Sequence, residues 1–502
     1  MGAVQLRLGD LDDRVGSRLN RMAHEDVVAR IWARDHTVWR DDPTEIADRL
    51  GWLDAQERSR GELAGFRGLA QEAREEGLSQ TVLLGMGGSS LAPEVIAATG
   101  GSESLTVLDT THPDAIARLE RDLPLRETMF VVSSKSGTTI ETRSHMAHFL
   151  DLVKDPGHFA AITDPGTALE LAATDAGFRR VFRAQPDVGG RYSALTVFGL
   201  VPAVLSGIDP EGLLAAAAEA AEACGPHIPV EENPAALVGA ALGEAALAGR
   251  DKATVAVGRA FASLGAWIEQ LLAESTGKEG TGILPVDGEP LGPSEVYGGD
   301  RLFLTTPGVG GPGPSVELPL HGPEDLGWAF FVLEFATAVA GAIIGIHPFD
   351  QPDVQSAKNR TAEVLRAGAI PPEAPGDVAE LLEKVRPGDY VAIQAFVDPR
   401  GETGRRLPHV RARVRDRFGV ATTLGYGPRY LHSTGQYHKG GPNSGVFLQV
   451  LEEPQEDRAV PGEDFTFGRL VTAQAAGDLA ALRERGRRAE RVSVEDLLSW
   501  EG

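Results

Sequence analysis

Glu274, in the run Glu274-Ser275-Thr276-Gly277-Lys278, and Arg191, behind the glycine pair Gly189-Gly190, are residue types able to move a proton and to meet a developing negative charge. A carboxylate at the end of a helix can serve as a general base. A guanidinium reached across glycines can approach a ligand oxygen without side-chain crowding, so Gly190 and Arg191 belong together. The run Trp267-Ile268-x-x-Leu271-Leu272 marks the helix that Gly277 terminates. Glu274 and Lys278 are spaced i, i+4, which favours a plain ion pair between them. Phe349-Asp350-Gln351-Pro352 begins a further helix, capped by Asp350, and Gln351 and Lys358, seven residues apart, would share one of its faces. His432 and Gln436, in Leu431-His432-Ser433-Thr434-Gly435-Gln436, stand i, i+4 if that stretch is helical. His347 and His438 read as structural histidines. No compact histidine and carboxylate cluster with ligand spacing appears, so no metal is expected.

Two loops rich in serine and glycine supply a second kind of chemistry. Gly85-Met86-Gly87-Gly88-Ser89-Ser90 and Ser133-Ser134-Lys135-Ser136-Gly137-Thr138-Thr139 each follow a short apolar run, Thr81–Leu84 and Met129–Val132, and each opens onto a helix-like stretch. Such loops at the carboxyl edge of a parallel sheet read as a double phosphate cradle. In the second, Thr138 and Glu141 form a capping-box pattern that starts a helix, whose N–H groups would face an anion. Ser134, Ser136 and Thr139 add hydroxyl donors, Gly137 permits close approach, and Lys135 either adds charge or covers the rim. The bland alternative is an ordinary polar strand-to-helix turn.

The first loop also invites a dinucleotide reading. Gly85-x-Gly87 follows a strand, and Asp109 closes the next strand 24 residues on. Ser90 replaces the third glycine of that fingerprint, however, and a nicotinamide site has no need of the second loop. Gly88 and Ser89 are therefore assigned to phosphate binding, Asp109 to a turn, and no cofactor is expected.

The elements that must position these residues fit an α/β chain. With 502 residues, 42% of them hydrophobic, the chain is long enough for two or three packed domains. A net charge of −24 argues against nucleic acid as a partner, so a phosphorylated ligand must be met locally. The single cysteine, Cys224, excludes an intramolecular disulfide framework and fits a reducing cytoplasm. No targeting segment is read in the opening residues. The membrane-like run from Ala329 to Ile346 contains Glu334 and many small residues, and reads as a buried core helix rather than a span.

Residues 1–64 form a charged helical segment with an apolar stripe of Val27, Val28, Ile31 and Trp32. Residues 65–210 alternate apolar runs (Leu83-Leu84, Val107-Leu108, Val131-Val132, Ala161-Ile162, Val181-Phe182) with helical stretches, the pattern of a doubly wound sheet. Ala-rich residues 211–250 read as a helical connector. Residues 251–454 read as a second α/β region with strands at Thr254–Val257, Ile283–Val286, Leu302–Leu304 and Tyr390–Ile393, interrupted by Pro307–Pro314 and Pro371–Gly376. The remainder, 455–502, reads as a solvated helical tail.

Taken together, Gly85 to Gly441 resembles the glucose-6-phosphate isomerase family, built from two doubly wound sugar-isomerase domains. The resemblance implies that Ser134, Ser136 and Thr139 hold a sugar phosphate with Ser89 and Lys135, that Glu274 is the catalytic base, and that Arg191 is the active-site arginine. It further implies that Gln351 and Lys358 belong to a late active-site helix and that His432 opens the sugar ring. In typical members the histidine motif lies between the glutamate and the Phe-Asp-Gln motif; here it follows both. The order is most like that in the isomerase half of bacterial fusions with transaldolase. The resemblance implies a homodimer, since in typical members the histidine is supplied by the neighbouring subunit, together with association with a transaldolase and a cis-enediol reaction interconverting glucose 6-phosphate and fructose 6-phosphate. A non-catalytic sugar-phosphate sensor is the other reading, because one fold supports both.

Overall fold

Short apolar runs buried on both faces specify parallel strands, and among the described residues they form three separate sheets. The computed structural model describes residues 2–367 and 373–501, and for Ser356 and Ala357 the backbone alone. Pro371 and Pro372, at the front of the Pro371–Gly376 stretch, fall outside the described residues, as does Met1. The first sheet is all parallel, in the order Leu105–Leu108, Gln80–Gly85, Thr128–Ser133, Phe159–Thr163, Arg180–Arg183. All five strands expected between 65 and 210 are present in it. Its direction of winding reverses between Gln80–Gly85 and Thr128–Ser133, where Gly85 lies opposite Ser133. Both glycine- and serine-rich loops therefore leave neighbouring strand ends at the topological switch point, where such sheets open a crevice.

The second sheet runs Gln5–Arg7, Ser315–Glu317, Arg301–Thr305, Lys252–Ala256, Leu284–Val286, parallel except for its first strand. The third runs Ala421–Tyr426, Tyr390–Phe396, Gly445–Leu451, Arg488–Arg491, all parallel. Three expectations need correction here. Residues 251–454 contribute to two sheets rather than one, because Tyr390–Phe396 pairs with later strands instead of joining Lys252–Ala256. The tail 455–502 is neither wholly helical nor solvated: Arg488–Arg491 is an edge strand, and the helix Phe467–Glu484 buries Phe467, Leu470, Val471 and Leu479. The N-terminal segment also donates a strand, Gln5–Arg7, and its helix Ala55–Glu75 runs past residue 64. Short edge strands with charged residues carry little β signature, since their pairing depends on the tertiary neighbour.

The membrane-like run is the helix Asp325–Ile344, long and apolar enough to cross a membrane, with 83% of its most apolar 18-residue window buried inside the protein. It packs against the connector helices Glu211–Ala223 and Pro234–Leu247. Phe330, Phe331 and Phe335 are fully buried on it, each contributing about 1.5–3 kcal/mol of burial free energy. Trp52 and Tyr192 join the same aromatic cluster, which carries the packing up to Arg191.

Candidate active site

The helix Leu264–Thr276 ends at Gly277 and presents Glu274 one turn before its end. A short 3-10 turn, Gly190–Tyr192, faces it with Arg191, which is 4% exposed. The guanidinium is held on all sides. Its Nε donates to Ser275 Oγ at 2.9 Å, one terminal nitrogen donates to Gln351 Oε1 at 2.5 Å and to Glu274 Oε2 at 3.4 Å, and the other donates to the carbonyls of Pro348 and Asp350 at 2.8 and 2.9 Å. Burial pushes the Glu274 carboxyl up, opposed by the charges of Arg191 and His432. A carboxylate so placed is a stronger base than an exposed one, while the adjacent cation keeps it within range of ionisation.

Arg191, not Lys278, is the cation that meets Glu274. Lys278 lies beyond the helix end, where the i, i+4 geometry no longer applies, and its Nζ donates instead to Asp350 Oδ1 at 2.6 Å and to the carbonyls of His347 and Asp350 at 2.7 Å. Burial first, then the charge of Arg191, lower its ammonium to about 8, against the pull of Asp350. Asp350 consequently caps no helix. The helix begins at Val354, so Gln351 precedes it and shares no helical face with Lys358. Gln351 meets Arg191, and Lys358 faces a different part of the site.

That part is a cavity of about 480 Å³ lined by Ser136, Thr139, Glu141, Lys358, His432 and Gln474, among others. His432 ends the 3-10 turn Arg429–His432, and Gln436 lies in a separate helix, Gly435–Gly440, so the two are not on one helical face. The His432 ring lies 3.1 Å, Nε2 to Oε1, from Glu141, which also accepts from Gln474 Nε2 at 2.7 Å. Burial alone would raise the Glu141 carboxyl, but the charge of His432 and its hydrogen bond outweigh it and hold the group low. An ionised Glu141 orients the imidazole through this contact. The capping box expected of Thr138 and Glu141 is not formed: Thr139 occupies the cap position of the helix Ile140–Val153 with no side-chain cap bond, and Glu141 faces His432.

The two halves of the site touch through Gln270. Its Nε2 donates to Glu274 Oε2 at 3.2 Å and to the His432 carbonyl at 2.9 Å. The first loop closes the gap from beneath. A Cβ at Gly88 would lie 2.2 Å from the Gly190 carbonyl oxygen, and one at Gly87 would lie 2.6 Å from that of His432. Ser89, in the same loop, is buried. In the second loop Ser134 Oγ and Thr139 Oγ1 lie 3.0 Å apart, as do Ser136 Oγ and Thr138 Oγ1, while Gly137 N donates to Ser134 Oγ. Lys135 turns aside: its Nζ donates to both oxygens of Asp164, at 2.8 and 2.7 Å, and it lies outside the cavity lining. It covers the rim.

Asp109, weighed as a ribose ligand, instead accepts from Arg429 at 2.7 Å. His438 is buried against Tyr390, with Nδ1 2.9 Å from the phenol oxygen, which fits a structural role. Cys224 is buried and free, its thiol pushed up to about 12 by burial. Among the described residues no cluster of three histidine, cysteine or carboxylate side chains is placed to hold a metal. The sequence reading missed Glu141 as the partner of His432, and also Gln270, Gln474, Ser275 and Asp350. Glu141 had a visible signal in its position after the Ser/Thr loop; the glutamines had none.

A family model described as phosphoglucose isomerase matches residues 63–283. The glucose-6-phosphate isomerase of Carboxydothermus hydrogenoformans is 30% identical over 406 residues, covering 72% of this chain and 84% of that protein. The glucose-6-phosphate isomerase of Rubrobacter xylanophilus is 28% identical over 384 residues, 61% of this chain and 86% of that one. Among solved structures, a hypothetical protein from Thermus thermophilus superposes with a TM-score of 0.62 at 26% identity, over 72% of this chain and 100% of that one. A glucose-6-phosphate isomerase from Chlamydia trachomatis, 22% identical with a TM-score of 0.54, shares the fold over 70% of this chain and 79% of its own.

Proposed function

The chain belongs to the phosphoglucose isomerase family, and we propose that it interconverts glucose 6-phosphate and fructose 6-phosphate with Glu274 as the base. The observation that carries this reading is the bridge at Arg191, which holds Glu274 and Gln351 on one guanidinium, with the His432–Glu141 pair a single glutamine away. The sugar enters mainly as a closed ring. His432 and Lys358, which line one cavity, supply the proton donor and acceptor that open it. Only the open chain has an acidified C2 proton. Glu274 removes that proton and returns it at C1, since one carboxylate reaches both adjacent carbons of a cis-enediol, and no net redox change occurs.

Negative charge develops on the enediolate oxygens, where a preorganised cation such as Arg191 contributes on the order of 3 kcal/mol, about two decades of rate. Ser134, Ser136 and Thr139 hold the phosphate, assisted by the helix that begins at Ile140 and by Gly88 and Ser89 beneath. That remote anchorage positions C1 and C2 against Glu274. Lys135 supports the loop through Asp164 rather than touching phosphate. We further propose a homodimer in the cytoplasm, associated with a transaldolase, and a chain in which the third sheet, with strands on both sides of position 454, forms a unit of its own.

A coupled assay on fructose 6-phosphate, following glucose 6-phosphate, tests the reading. The wild type should turn over, and Glu274→Gln should lose about 10³-fold in kcat while still binding sugar phosphate. Near-normal turnover in the variant would remove Glu274 from the role of base.

A further inference from the structure

Glu274 and His432 stand on parts of the fold that share no strand. Glu274 belongs to the helix following Lys252–Ala256 of the second sheet, and His432 follows Ala421–Tyr426 of the third. Within a single chain they are nevertheless joined. Gln270 spans from the Glu274 carboxylate to the His432 carbonyl. Gln436 Nε2 donates to the Gly277 carbonyl at 2.9 Å, and its Oε1 accepts from Asp353 N at 2.9 Å. Arg485 meets Asp353 at 2.6 Å, on the segment leading into the helix that carries Lys358. The first sheet is held as firmly: Glu141 faces the His432 ring, and Arg429 pairs with Asp109 at 2.7 Å and Glu94 at 2.5 Å.

We infer that residues 373–501 complete the active site of their own chain, so that one copy of this protein carries the base, the ring-opening histidine and the histidine's carboxylate together. A unit tethered to its docking face sees it at an effective concentration in the millimolar range, far above that of a second chain at micromolar protein. Own-chain docking through these contacts therefore prevails over exchange between copies. A homodimer then serves some purpose other than completing the site. The activity readout below rests on the isomerase reading, whereas the cross-linking readout does not.

Asp353→Cys and Arg485→Cys in one chain place two thiols across the docking face, with Cys224, the native cysteine, buried. Treated with a short bismaleimide at micromolar protein, this double variant should give a product of single-chain mass on a denaturing gel; a two-chain product would overturn the inference. In the second arm, Glu274→Gln and His432→Ala chains carrying different tags are unfolded together, refolded and assayed. The mixture should show only the sum of the two residual rates. If chains completed one another's sites, a mixed dimer would have one site with both native residues and would recover about half of wild-type turnover. Absence of turnover in the wild type itself would count against the isomerase reading, and the cross-linked product would still decide which chain supplies His432.

Discussion

His432 acquires its role from two neighbours that the sequence separates widely. Glu141, on the first sheet's side, accepts from the ring, and Gln474, on a C-terminal helix, donates to the same carboxylate oxygen while accepting at 2.7 Å from Thr111 Oγ1. Removing the charge at Glu141 weakens the hydrogen bond that orients the imidazole. Glu141→Gln should accordingly lower kcat about 10²-fold with KM nearly unchanged, measured in the same coupled assay; a change confined to KM would show that Glu141 is not a positioning residue. The acid limb of the rate profile tests Glu274 separately. The ionised form accepts the C2 proton, and burial lifts its pKa above the ordinary glutamate value of 4.5. Activity is full above the raised pKa and lost as pH falls through it, so the limb of kcat/KM should lie above 4.5. Arg191→Gln should move that limb to still higher pH, because a cation favouring the ionised form has gone.

At the scale of elements, the site depends on how closely backbones approach. The loop after Gln80–Gly85 lies against the Gly190–Tyr192 turn, and a Cβ at Gly88 would meet the Gly190 carbonyl oxygen, carbonyl carbon and Cα at 2.2, 2.3 and 2.8 Å. All three are backbone atoms, so no rotamer change relieves the contact. Gly88→Ala should push the turn and Arg191 outward, costing about 1–3 kcal/mol of stability. A displacement of about 1 Å at the reacting centre should lower kcat/KM about 10²-fold. Thermal unfolding and steady-state kinetics read the two effects, and wild-type values in both would mean that the loops are free to separate. The helix Leu264–Thr276 has the converse role: its termination at Gly277 releases Lys278 toward Asp350 and leaves Glu274 to Arg191.

Across the whole molecule, the third sheet is fastened partly by buried charge. Lys439 and Asp478 meet at 2.5 Å with side chains 1% and 0% exposed, and Tyr430 donates to the same aspartate at 2.6 Å. Lys439→Met strands a buried carboxylate and should destabilise the fold by about 3–5 kcal/mol in urea unfolding, while Lys439→Met with Asp478→Leu should regain most of it. Equal losses in the single and double variants would show that the loss does not come from an uncompensated charge.

The sequence by itself determined the strands of the first sheet, both hydroxyl-rich loops and the end of the Glu274 helix, because apolar runs and glycines act on their immediate neighbours. It also marked Arg191, Glu274, Lys358 and His432 through local motifs. Only the tertiary structure decided that Tyr390–Phe396 founds a separate sheet, that Arg488–Arg491 pairs as a strand, that Lys278 leaves Glu274 for Asp350, and that Glu141 faces His432 from 291 positions away in the chain. Those outcomes depend on which surfaces meet after the elements form, and a charged or amide side chain carries no local mark of the partner that burial will assign to it.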